Sequence, residues 1–478
     1  MGRWPAEWPR SIHFLGICGS AMSGLAILAA RRGVAVRGSD GGAWPPASDM
    51  LAAAGIEVRV PWRPGNLDPA PDLVVVGNAL SRGNVELERV LEEGWPLCSL
   101  PEFVERLLVP GRRVIAVAGT HGKTTTASLV AMLLDRAGRD PSFVVGGRPG
   151  NFGVGARVGG GPDLVLEADE YDSAFFDKGP KFLHYWPRVA VLGPVEFDHA
   201  DIYPDLAAVE RAFSLFLRLL PPGGTLVVHG DDPGARKLAA GARCRVVRAG
   251  SGTDCEVRIV DREDDGAGQA FGVVVNGKGA GRARLPLPGE HNAQNAAAAL
   301  AAVAAVGVPP AVALPLLAAF VPPGRRLEPL GGRDGITAFD DFAHHPTAVA
   351  STLAALRPRV PAGGRLVACL EPRSNTMVRR VVQESLGRAL AGADVVLLGP
   401  VDRPDRFSPA ERLDVARLAE TLRAGGIPAE GPLAPGELFT RLREIARPGD
   451  VIVTMSNGAF GGLPGRIRAW LAGAGEGR

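Results

Sequence analysis

The sequence predicts an α/β protein with three domains: an N-terminal Rossmann-like domain, a central P-loop domain with a mostly parallel sheet, and a C-terminal Rossmann-like domain. Segments rich in Val, Ile and Leu alternate with amphipathic stretches of Ala, Leu and Arg, which is typical of β-α-β units. The 478 residues correspond to about three domains of ~150 residues. The alternation restarts near Ile12, Val114 and Ile336, and we therefore predict domains at 1–110, 111–325 and 326–478.

Composition and charge exclude several classes of protein. The chain has 53 basic and 51 acidic residues and a net charge of +2, whereas nucleic-acid-binding surfaces show a large basic excess or patch. Its five cysteines are scattered and form no CxxC pair, which argues against disulfides and a cysteine-based zinc site. Reduced cysteines and the lack of an apolar segment at Met1–Pro5 predict a soluble, cytoplasmic protein.

One uncharged stretch, 296–321, is long enough to span a bilayer. It is mostly alanine, and Pro309, Pro310 and Pro315 interrupt it. We therefore predict two short buried helices joined by a turn at Gly307 and Pro309, and no membrane contact.

The strongest motif is AGTHGKTTT, residues 118–126, which stands between an apolar strand and a helical run. In a P-loop the backbone N–H groups at a helix N-terminus face phosphate, the lysine reaches the terminal phosphates and the next hydroxyl binds Mg²⁺. Val117 replaces the first glycine of the general motif, so the loop is a shortened form. Lys123, one of only five lysines, and Thr124 predict a nucleotide-phosphate site with Mg²⁺.

Acidic residues follow two predicted strands that we expect to be neighbours in the P-loop sheet. The strand 163–167 ends in Glu167 and is followed by Asp169 and Glu170, and the strand 189–192 is followed by EFDH, 196–199. Carboxylates at such positions supply the hard oxygen ligands that Mg²⁺ prefers. Either set alone would equally suit a solvated turn, and the nearby P-loop favours a metal site.

The N-terminal domain carries a second glycine-rich loop. GICGSAMSG, 16–24, opens a helix, and a second strand ends in Asp40. The 24-residue gap from Gly16 to Asp40 suits a Rossmann fingerprint, in which the acid bonds ribose hydroxyls. NAD is the default ligand of such a site. Because a second phosphate loop follows at Lys123, a nucleotide-activated substrate is the alternative interpretation.

Two further polar clusters stand out, GEHNAQN at 289–295 and DDFAHHPT at 340–347. The histidine and asparagines of the first would cap the alanine-rich helix or bind a base. The second pairs two histidines with two aspartates, which suggests zinc, but adjacent positions rarely converge on one ion.

Together these motifs resemble those of the Mur ligase family, from Gly16 to Gly462. The strings GTHGKTTT, EADE, DHAD, HNAQN and DDFAHHPT occur in the family's order. The resemblance implies an ATP-dependent, amide-bond-forming ligase with ATP as co-substrate and Mg²⁺ as cofactor. In such a ligase ATP phosphorylates a carboxylate, and an amine then displaces phosphate through a tetrahedral intermediate.

The resemblance also assigns roles to individual residues. The catalytic and metal-binding residues would be Lys123, Thr124, Glu170 and His199. ATP would be bound by Gly119, Thr120, His121, Gly122, Lys123, Thr124, Thr125, His291, Asn292, Asn295, Arg326, Asp341, His344 and His345. The UDP-sugar would be bound by Gly16, Gly19, Ser20, Asp40 and Asn78, and the peptide by Arg373, Ser374, Asn375 and Thr376. One departure is Gly193-Pro194, where the family pattern has amide-bearing residues before EFDH.

Within the family, GICGSAMSG, NALSRGN, EPRSNTM and MSNGAFGG most resemble the members that join UDP-N-acetylmuramate to the tripeptide L-alanyl-γ-D-glutamyl-meso-diaminopimelate. The resemblance implies these small-molecule substrates and a place in peptidoglycan recycling. Two alternatives stay open: ligation of L-alanine in primary synthesis, and a non-catalytic UDP-sugar sensor. The oligomeric state is open as well.

The amino substrate would be recognised by an arginine. Arg373 follows the apolar strand 366–370, so we expect its side chain at the carboxyl edge of a sheet, where α/β proteins bind ligands. A guanidinium donates two parallel hydrogen bonds to a carboxylate. The alternative is that Arg373 only pairs with Glu371 at the surface.

Overall fold

The structure is a computed structural model that describes residues 8–45 and 47–473. Its three large sheets fall one in each predicted domain, and the predicted three-domain α/β fold is confirmed. None of the helices in these two segments is long and apolar enough to cross a membrane.

The N-terminal sheet is entirely parallel, with strand order β3-β2-β1-β4-β5. Its strands are β1 (Ser11–Leu15), β2 (Ala35–Ser39), β3 (Glu57–Arg59), β4 (Leu73–Val76) and β5 (Leu97–Ser99), and its helices are α1 (Ser20–Arg31), α2 (Ala47–Ala53), α3 (Val85–Glu92) and α4 (Leu100–Leu107). The strand order reverses between β1 and β4. In doubly wound sheets ligands bind beyond the carboxyl ends of the strands at such a point.

The central sheet has ten strands in the order β17-β16-β15-β14-β13-β12-β6-β9-β7-β8. Its strands are β6 (Arg113–Ala118), β7 (Ser142–Val144), β8 (Ala156–Arg157), β9 (Asp163–Glu167), β12 (Val189–Leu192), β13 (Thr225–His229), β14 (Arg245–Gly250), β15 (Val257–Asp264), β16 (Gln269–Val275) and β17 (Lys278–Leu285). A separate hairpin consists of β10 (Asp172–Ala174) and β11 (Asp177–Pro180), and the helices are α5 (Lys123–Arg136), α6 (Leu206–Leu217), α7 (Pro233–Ala239), α8 (Glu290–Ala305) and α9 (Pro310–Leu316). The polar interval 261–281 belongs to the antiparallel hairpins formed by β15, β16 and β17.

The third sheet is parallel except for its first strand, with the order β18-β19-β23-β20-β21-β22. Its strands are β18 (Glu328–Arg333), β19 (Ile336–Asp341), β20 (Arg365–Leu370), β21 (Val395–Leu398), β22 (Ala429–Glu430) and β23 (Asp450–Met455). Its helices are α10 (Pro346–Leu356), α11 (Gln383–Leu390), α12 (Val415–Ala424), α13 (Pro435–Ile445) and α14 (Leu463–Leu471).

The uncharged stretch 296–321 forms the buried part of α8 and then α9, with the turn at Gly307 and Pro309. Alanines occupy most of the buried face of α8, which packs against α5. Small side chains let two helices approach closely, and an apolar surface on nearly all sides is typical of a helix inside a core. The prediction of two helices rather than a membrane span is confirmed.

Several contacts join the N-terminal domain to the central one, and two of them involve its sheet and its first helix. A Cβ on Gly24 of α1 would lie 3.3 Å from the Cβ of Ala156 in β8. On another side, Phe175 of the β10–β11 turn packs against an apolar cluster of the N-terminal domain that includes Leu15 and Val76. These contacts place the carboxyl edge of the first sheet beside the P-loop domain.

Candidate active site

The P-loop runs from the end of β6 to Lys123, the first residue of α5, and it needs its glycines. Gly119 has φ +129° and Gly122 has φ +78°, a region that side chains disfavour. A Cβ on Gly119 would lie 2.7 Å from the Cα of Gly193, and one on Gly122 would lie 2.5 Å from Oδ1 of Asn295. The loop is therefore enclosed by the turn after β12 and by α8.

Gly193 and Pro194, which depart from the family pattern, lie in the turn after β12 that packs against the P-loop. The N–H of Gly193 donates to the carbonyl of Ala118 at 2.8 Å, and the N–H of Thr120 donates to the carbonyl of Pro194 at 2.7 Å. A Cβ at Gly193 would lie 3.1 Å from the carbonyl oxygen of His121. Backbone groups, rather than side-chain amides, therefore make this contact with the P-loop.

The ammonium of Lys123 lies among carboxylates. Its Nζ is 2.9 and 3.2 Å from the two carboxylate oxygens of Glu170, 2.8 Å from the carbonyl of Gly119 and 3.7 Å from Asp169. Burial disfavours the ammonium, but the charges of Glu170 and Asp169 outweigh burial and raise the pKa of Lys123. A fixed positive charge thus lies at the base of the P-loop.

Glu167, at the end of β9, was among the acids predicted after the strand 163–167, but it was not among the metal-binding residues that the family resemblance implied. Its Oε1 accepts from the hydroxyl of Thr124 at 2.7 Å, and its Oε2 accepts from the N–H of Gly146 at 2.7 Å. Burial, followed by repulsion from Asp169, raises the pKa of Glu167. Its place at the end of a strand beside the P-loop was the sequence signal that pointed to it.

His199 lies against Glu170 in a conformation that is uncommon for a residue with a side chain. Its φ is +56°, and such backbone strain is concentrated at functional sites. Its Nε2 is 2.8 Å from Oε1 of Glu170, its N–H donates to Asp198 at 2.7 Å, and its ring centroid is 4.0 Å from that of Tyr171. Burial opposes the imidazolium, but the hydrogen bond and charge of Glu170 outweigh burial and raise the pKa of His199.

The two strands that carry these residues are not neighbours, and that part of the prediction is wrong. β9 and β12 each pair with β6, one on either side of it. The acids of β9 and the EFDH segment after β12 therefore approach the P-loop from opposite sides and meet at the contact between Glu170 and His199.

The polar residues at the start of α8 lie over the P-loop. Nδ2 of Asn292 donates to the carbonyl of Pro288 at 2.7 Å, and Nδ2 of Asn295 is 3.3 Å from Oδ1 of Asn292. Burial, together with the charge of Arg326, lowers the pKa of His291 to about 4. The imidazole of His291 is therefore neutral at physiological pH.

Arg325 and Arg326, just before β18, differ in their contacts. The guanidinium of Arg325 is held by Asp340 at 2.8 Å and by the carbonyl of Ser456 at 2.6 Å. Both guanidinium groups lie over the ring of Phe342, 5.3 and 5.2 Å from its centroid, but no comparable ion pair holds Arg326 among the contacts described. Hydrogen bonds within the third domain therefore occupy the guanidinium of Arg325. This favours Arg326 as the arginine that faces the P-loop site of the central domain.

Asp341 holds the backbone at the start of the third domain. Its carboxylate accepts from the N–H groups of Leu327 and Ala343, both at 2.9 Å, and from the hydroxyl of Thr352 at 3.0 Å. Burial raises the pKa of Asp341. These three hydrogen bonds hold the loop that follows β19 in place.

His344 and His345 point in different directions. Nδ1 of His344 donates to the carbonyl of Phe342 at 2.7 Å, and burial lowers the pKa of His344 to about 4. Nε2 of His345 donates to the carbonyl of Phe197 at 3.3 Å, in the central domain. The two adjacent histidines therefore do not converge on one ion.

The glycine-rich loop of the N-terminal domain is closed by Asp40. Gly16, with φ +81°, donates its N–H to the carbonyl of Ser39 at 2.8 Å. The carboxylate of Asp40 accepts from the N–H of Cys18 at 2.9 Å and from the N–H of Gly41 at 2.7 Å. Asp40 thus joins the loop after β1 to the end of β2.

The other predicted UDP-sugar residues also lie at the carboxyl edge of the N-terminal sheet. Gly19 precedes α1, Ser20 begins it, and Asn78 is exposed just beyond β4. Trp44, which our assignment left out, is 76% exposed, and a Cβ on Gly42 would lie 2.6 Å from its indole nitrogen. The sequence shows a tryptophan two residues beyond a glycine pair, but its exposure is visible only in the structure.

A glycine-rich segment connects this edge to the P-loop. A Cβ on Gly155 would lie 3.8 Å from the carbonyl oxygen of Ser20 and 2.9 Å from that of Gly147. A Cβ on Gly147 would lie 3.0 Å from Cγ2 of Thr124. The segment 147–155 therefore lies between the glycine-rich loop of the N-terminal domain and the P-loop.

Three of the four predicted peptide-binding residues make hydrogen bonds to other residues of the protein. Nδ2 of Asn375 donates to Asp201 at 2.7 Å, and the hydroxyl of Thr376 accepts from the N–H of Ala200 at 3.2 Å. The hydroxyl of Ser374 donates to a carbonyl of its own domain at 2.9 Å. Asn375 and Thr376 thus join the third domain to the segment that carries His199.

Arg373 is held more loosely. Its Nη1 lies 3.5 Å from Asp402 and 3.8 Å from Glu371, and 39% of its side chain is exposed. A Cβ on Gly458 would collide with its guanidinium, so the side chain crosses the backbone there. Because both ion pairs are long, the guanidinium keeps donors for a further anion.

Three family models match the chain along nearly its whole length. They are the Mur ligase family catalytic domain at residues 11–110, the Mur ligase middle domain at 117–303 and the Mur ligase glutamate ligase domain at 325–458. Their order agrees with the order of the three sheets along the chain.

Individual proteins match as well. The UDP-N-acetylmuramate–L-alanyl-γ-D-glutamyl-meso-2,6-diaminoheptandioate ligase of Escherichia coli is 41% identical over 463 residues, which cover 96% of this chain and 98% of that protein. The UDP-N-acetylmuramate–L-alanine ligase of Salinispora arenicola is 37% identical over 465 residues, 95% of this chain and 87% of that protein. The crystal structure of a murein peptide ligase from Psychrobacter arcticus superposes with a TM-score of 0.72 at 35% identity, covering 96% of this chain and 98% of that one. The chain therefore belongs to the Mur ligase family.

Proposed function

We propose that this protein is an ATP-dependent ligase that joins UDP-N-acetylmuramate to the tripeptide L-alanyl-γ-D-glutamyl-meso-diaminopimelate. The observation that carries the ligase chemistry is the buried chain of contacts from Lys123 through Glu170 to His199 at the P-loop. The choice of substrates is supported by the relative from Escherichia coli and by the exposed guanidinium of Arg373. The pathway we propose is peptidoglycan recycling.

The reaction has two steps. The carboxylate of UDP-N-acetylmuramate attacks the γ-phosphorus of ATP, which gives an acyl phosphate and ADP. The amine of the tripeptide then attacks the acyl carbon, and phosphate leaves from the tetrahedral intermediate as the amide forms. Charge builds up on phosphate oxygens in both steps, so positioned positive charge and N–H donors supply most of the catalysis.

Lys123 provides that charge from within the protein. Its ammonium now pairs with Glu170 and is fixed by the carbonyl of Gly119, and we propose that the β- and γ-phosphates of ATP take over part of this pairing. The backbone N–H groups at the start of α5 face the same phosphates. His291, Asn295 and Arg326 complete the proposed nucleotide site from α8 and the third domain.

The residues around Thr124 fit Mg²⁺. The site offers the hydroxyl of Thr124, the carboxylates of Glu167 and Glu170 and the imidazole of His199, a set rich in the hard oxygen donors that Mg²⁺ prefers. When bound there, the ion would neutralise phosphate charge and polarise the phosphorus. Glu167 and Glu170 would hold it, with Thr124 and His199 completing the set.

The two remaining substrates reach this site from the flanking domains. The loop from Gly16 to Ser20 and the carboxylate of Asp40 would bind the UDP-sugar, and the segment 147–155 brings that loop next to Thr124. Arg373, close to the segment that carries His199, would bind a carboxylate of the tripeptide. Closure of three domains around the acyl phosphate would also exclude water from it.

Replacement of Glu170 by Ala, or of His199 by Ala, is expected to raise the Mg²⁺ concentration needed for half-maximal activity, because each change removes a proposed ligand. The loss of a metal neighbour typically weakens metal binding about 10- to 100-fold. Initial rates of phosphate release over a Mg²⁺ titration measure the effect. A His199 variant with normal Mg²⁺ dependence and a shifted pH profile would instead make His199 the base that accepts the amine proton.

The experiment that tests the proposed function compares the tripeptide with L-alanine as the amine substrate. L-Alanine ligation is the second candidate because the Salinispora relative carries that name at 37% identity.

A further inference from the structure

Three side chains from separate loops converge beside the nucleotide site. His121 belongs to the P-loop, Glu196 follows β12, and His345 caps α10 of the third domain. Nε2 of His121 is 2.9 Å from Oε2 of Glu196, and Nδ1 of His345 is 3.4 Å from the same oxygen. The three ligand atoms all lie within 4.8 Å of one another.

The hydrogen bonds of His345 leave a lone pair in this cluster. Its Nε2 donates to the carbonyl of Phe197 at 3.3 Å, so the neutral ring carries its proton there and its Nδ1 is an acceptor. Nδ1 receives only a long hydrogen bond, 3.4 Å, from the N–H of Thr347. It therefore faces the carboxylate of Glu196 as one acceptor facing another, which is unfavourable unless a cation lies between them.

The cluster therefore places a carboxylate oxygen of Glu196 and the lone pair of His345 Nδ1 3.4 Å apart.

The geometry is close to that of a zinc site. Zinc binds imidazole nitrogen and carboxylate oxygen at about 2.0–2.2 Å, so ligand atoms of a tetrahedral site lie roughly 3.3–3.5 Å apart. The 3.4 Å between His345 and Glu196 matches this value, and the 2.9 Å between His121 and Glu196 is shorter. Two histidines and one glutamate are also a ligand set that zinc commonly uses, with a fourth position left to water.

We propose that His121, Glu196 and His345 form a binding site for a zinc-class divalent ion that joins the P-loop domain to the third domain in the nucleotide-free protein. The site is separate in its ligands from the proposed Mg²⁺ site at Thr124, Glu167, Glu170 and His199. With one oxygen and two nitrogens it suits Zn²⁺ and disfavours Mg²⁺. The inference does not depend on the identity of the amine substrate.

His184 provides the matched control. It is also a histidine between carboxylates, with Nδ1 2.7 Å from Glu105 and Nε2 2.7 Å from Asp177. These two acids lie at opposite ring nitrogens, so they cannot bind one ion together with the imidazole. If any histidine beside carboxylates were enough to bind zinc, His184 would bind it too. The proposal predicts that His184 does not contribute to zinc binding.

The test is a titration of the metal-free, full-length protein with Zn²⁺ in competition with a chromophoric chelator, without nucleotide and with Mg²⁺ in excess. The wild type and His184→Ala are expected to bind one Zn²⁺ with equal affinity. His345→Ala, His121→Ala and Glu196→Gln should each bind it at least about 100-fold more weakly, because a direct ligand is lost. Co²⁺ in the wild type should show the intense visible bands of a tetrahedral site, and these bands should be absent in His345→Ala.

Two results would overturn the proposal. One is a wild-type protein that binds no Zn²⁺ in competition with the chelator. The other is Zn²⁺ binding that persists unchanged in both His345→Ala and Glu196→Gln, since the ion would then occupy other ligands. Thermal unfolding of each variant without metal identifies any that has failed to fold, and His121→Ala, which leaves the cap of α10 intact, then replaces His345→Ala.

Discussion

Lys123→Ala is expected to lower the rate of ATP-dependent phosphate release by about 10³-fold or more while leaving the affinity for the UDP-sugar almost unchanged. Lys123 is the only lysine of the described residues whose ammonium contacts Glu170, and it lies in the loop that we propose binds the nucleotide phosphates. The proposed UDP-sugar residues from Gly16 to Asp40 belong to a different sheet. Phosphate release and equilibrium binding of UDP-N-acetylmuramate, measured on the same preparation, test both halves of the prediction.

The variant also leaves buried carboxylates without their cation, which destabilises proteins. Thermal unfolding therefore accompanies the kinetics, and Lys123→Arg, which keeps a positive charge, serves as a second variant. Lys237→Ala is the matched control, because Lys237 is an exposed lysine of the same domain that pairs with Glu210. Loss of UDP-sugar binding in a folded Lys123→Ala protein would show that the two nucleotide sites are assigned wrongly.

Arg373→Ala is expected to raise the KM for the tripeptide about 10- to 100-fold, since a hydrogen bond to a charged group contributes about 1.5–3 kcal/mol. The KM values for ATP and UDP-N-acetylmuramate should barely change. The reason is the loose pairing of Arg373, whose Nη1 is 3.5 Å from Asp402 and 3.8 Å from Glu371. Initial rates with each substrate varied in turn measure the three constants.

The controls separate charge from geometry. Arg373→Lys keeps the charge but loses the two parallel donors, so its KM should lie between those of the wild type and Arg373→Ala. Arg388→Ala removes an exposed arginine of the same domain, 74% accessible and loosely paired with Glu384, and should change nothing. Normal tripeptide kinetics in Arg373→Ala would restore the alternative that Arg373 only pairs with neighbouring acids.

Local features of the fold followed from local sequence signals. The predicted strands 163–167 and 189–192 coincide with β9 and β12, because each is a short apolar run between turn residues. The interruption of 296–321 by prolines correctly placed the break between α8 and α9. The P-loop glycines were predictable because the motif demands both positive φ and close backbone approach.

Contacts between distant segments were not predictable in the same way. Spacing along the chain does not state which strands pair, so the separation of β9 from β12 by β6 was missed. Asn375 looked like a ligand-binding residue but donates to Asp201 of another domain. The meeting of His345 with Glu196 likewise depends on how two domains pack.

The most direct test of the central claim is the release of phosphate from ATP in the presence of UDP-N-acetylmuramate, with the tripeptide or L-alanine as the amine. The tripeptide offers carboxylates beyond the reacting amine, and one such contact with Arg373 corresponds to about a ten- to hundredfold effect. The account predicts a kcat/KM for the tripeptide at least about tenfold above that for L-alanine, with the UDP-linked tripeptide as the product. A higher kcat/KM with L-alanine, or no amine-dependent phosphate release with either substrate, would contradict it.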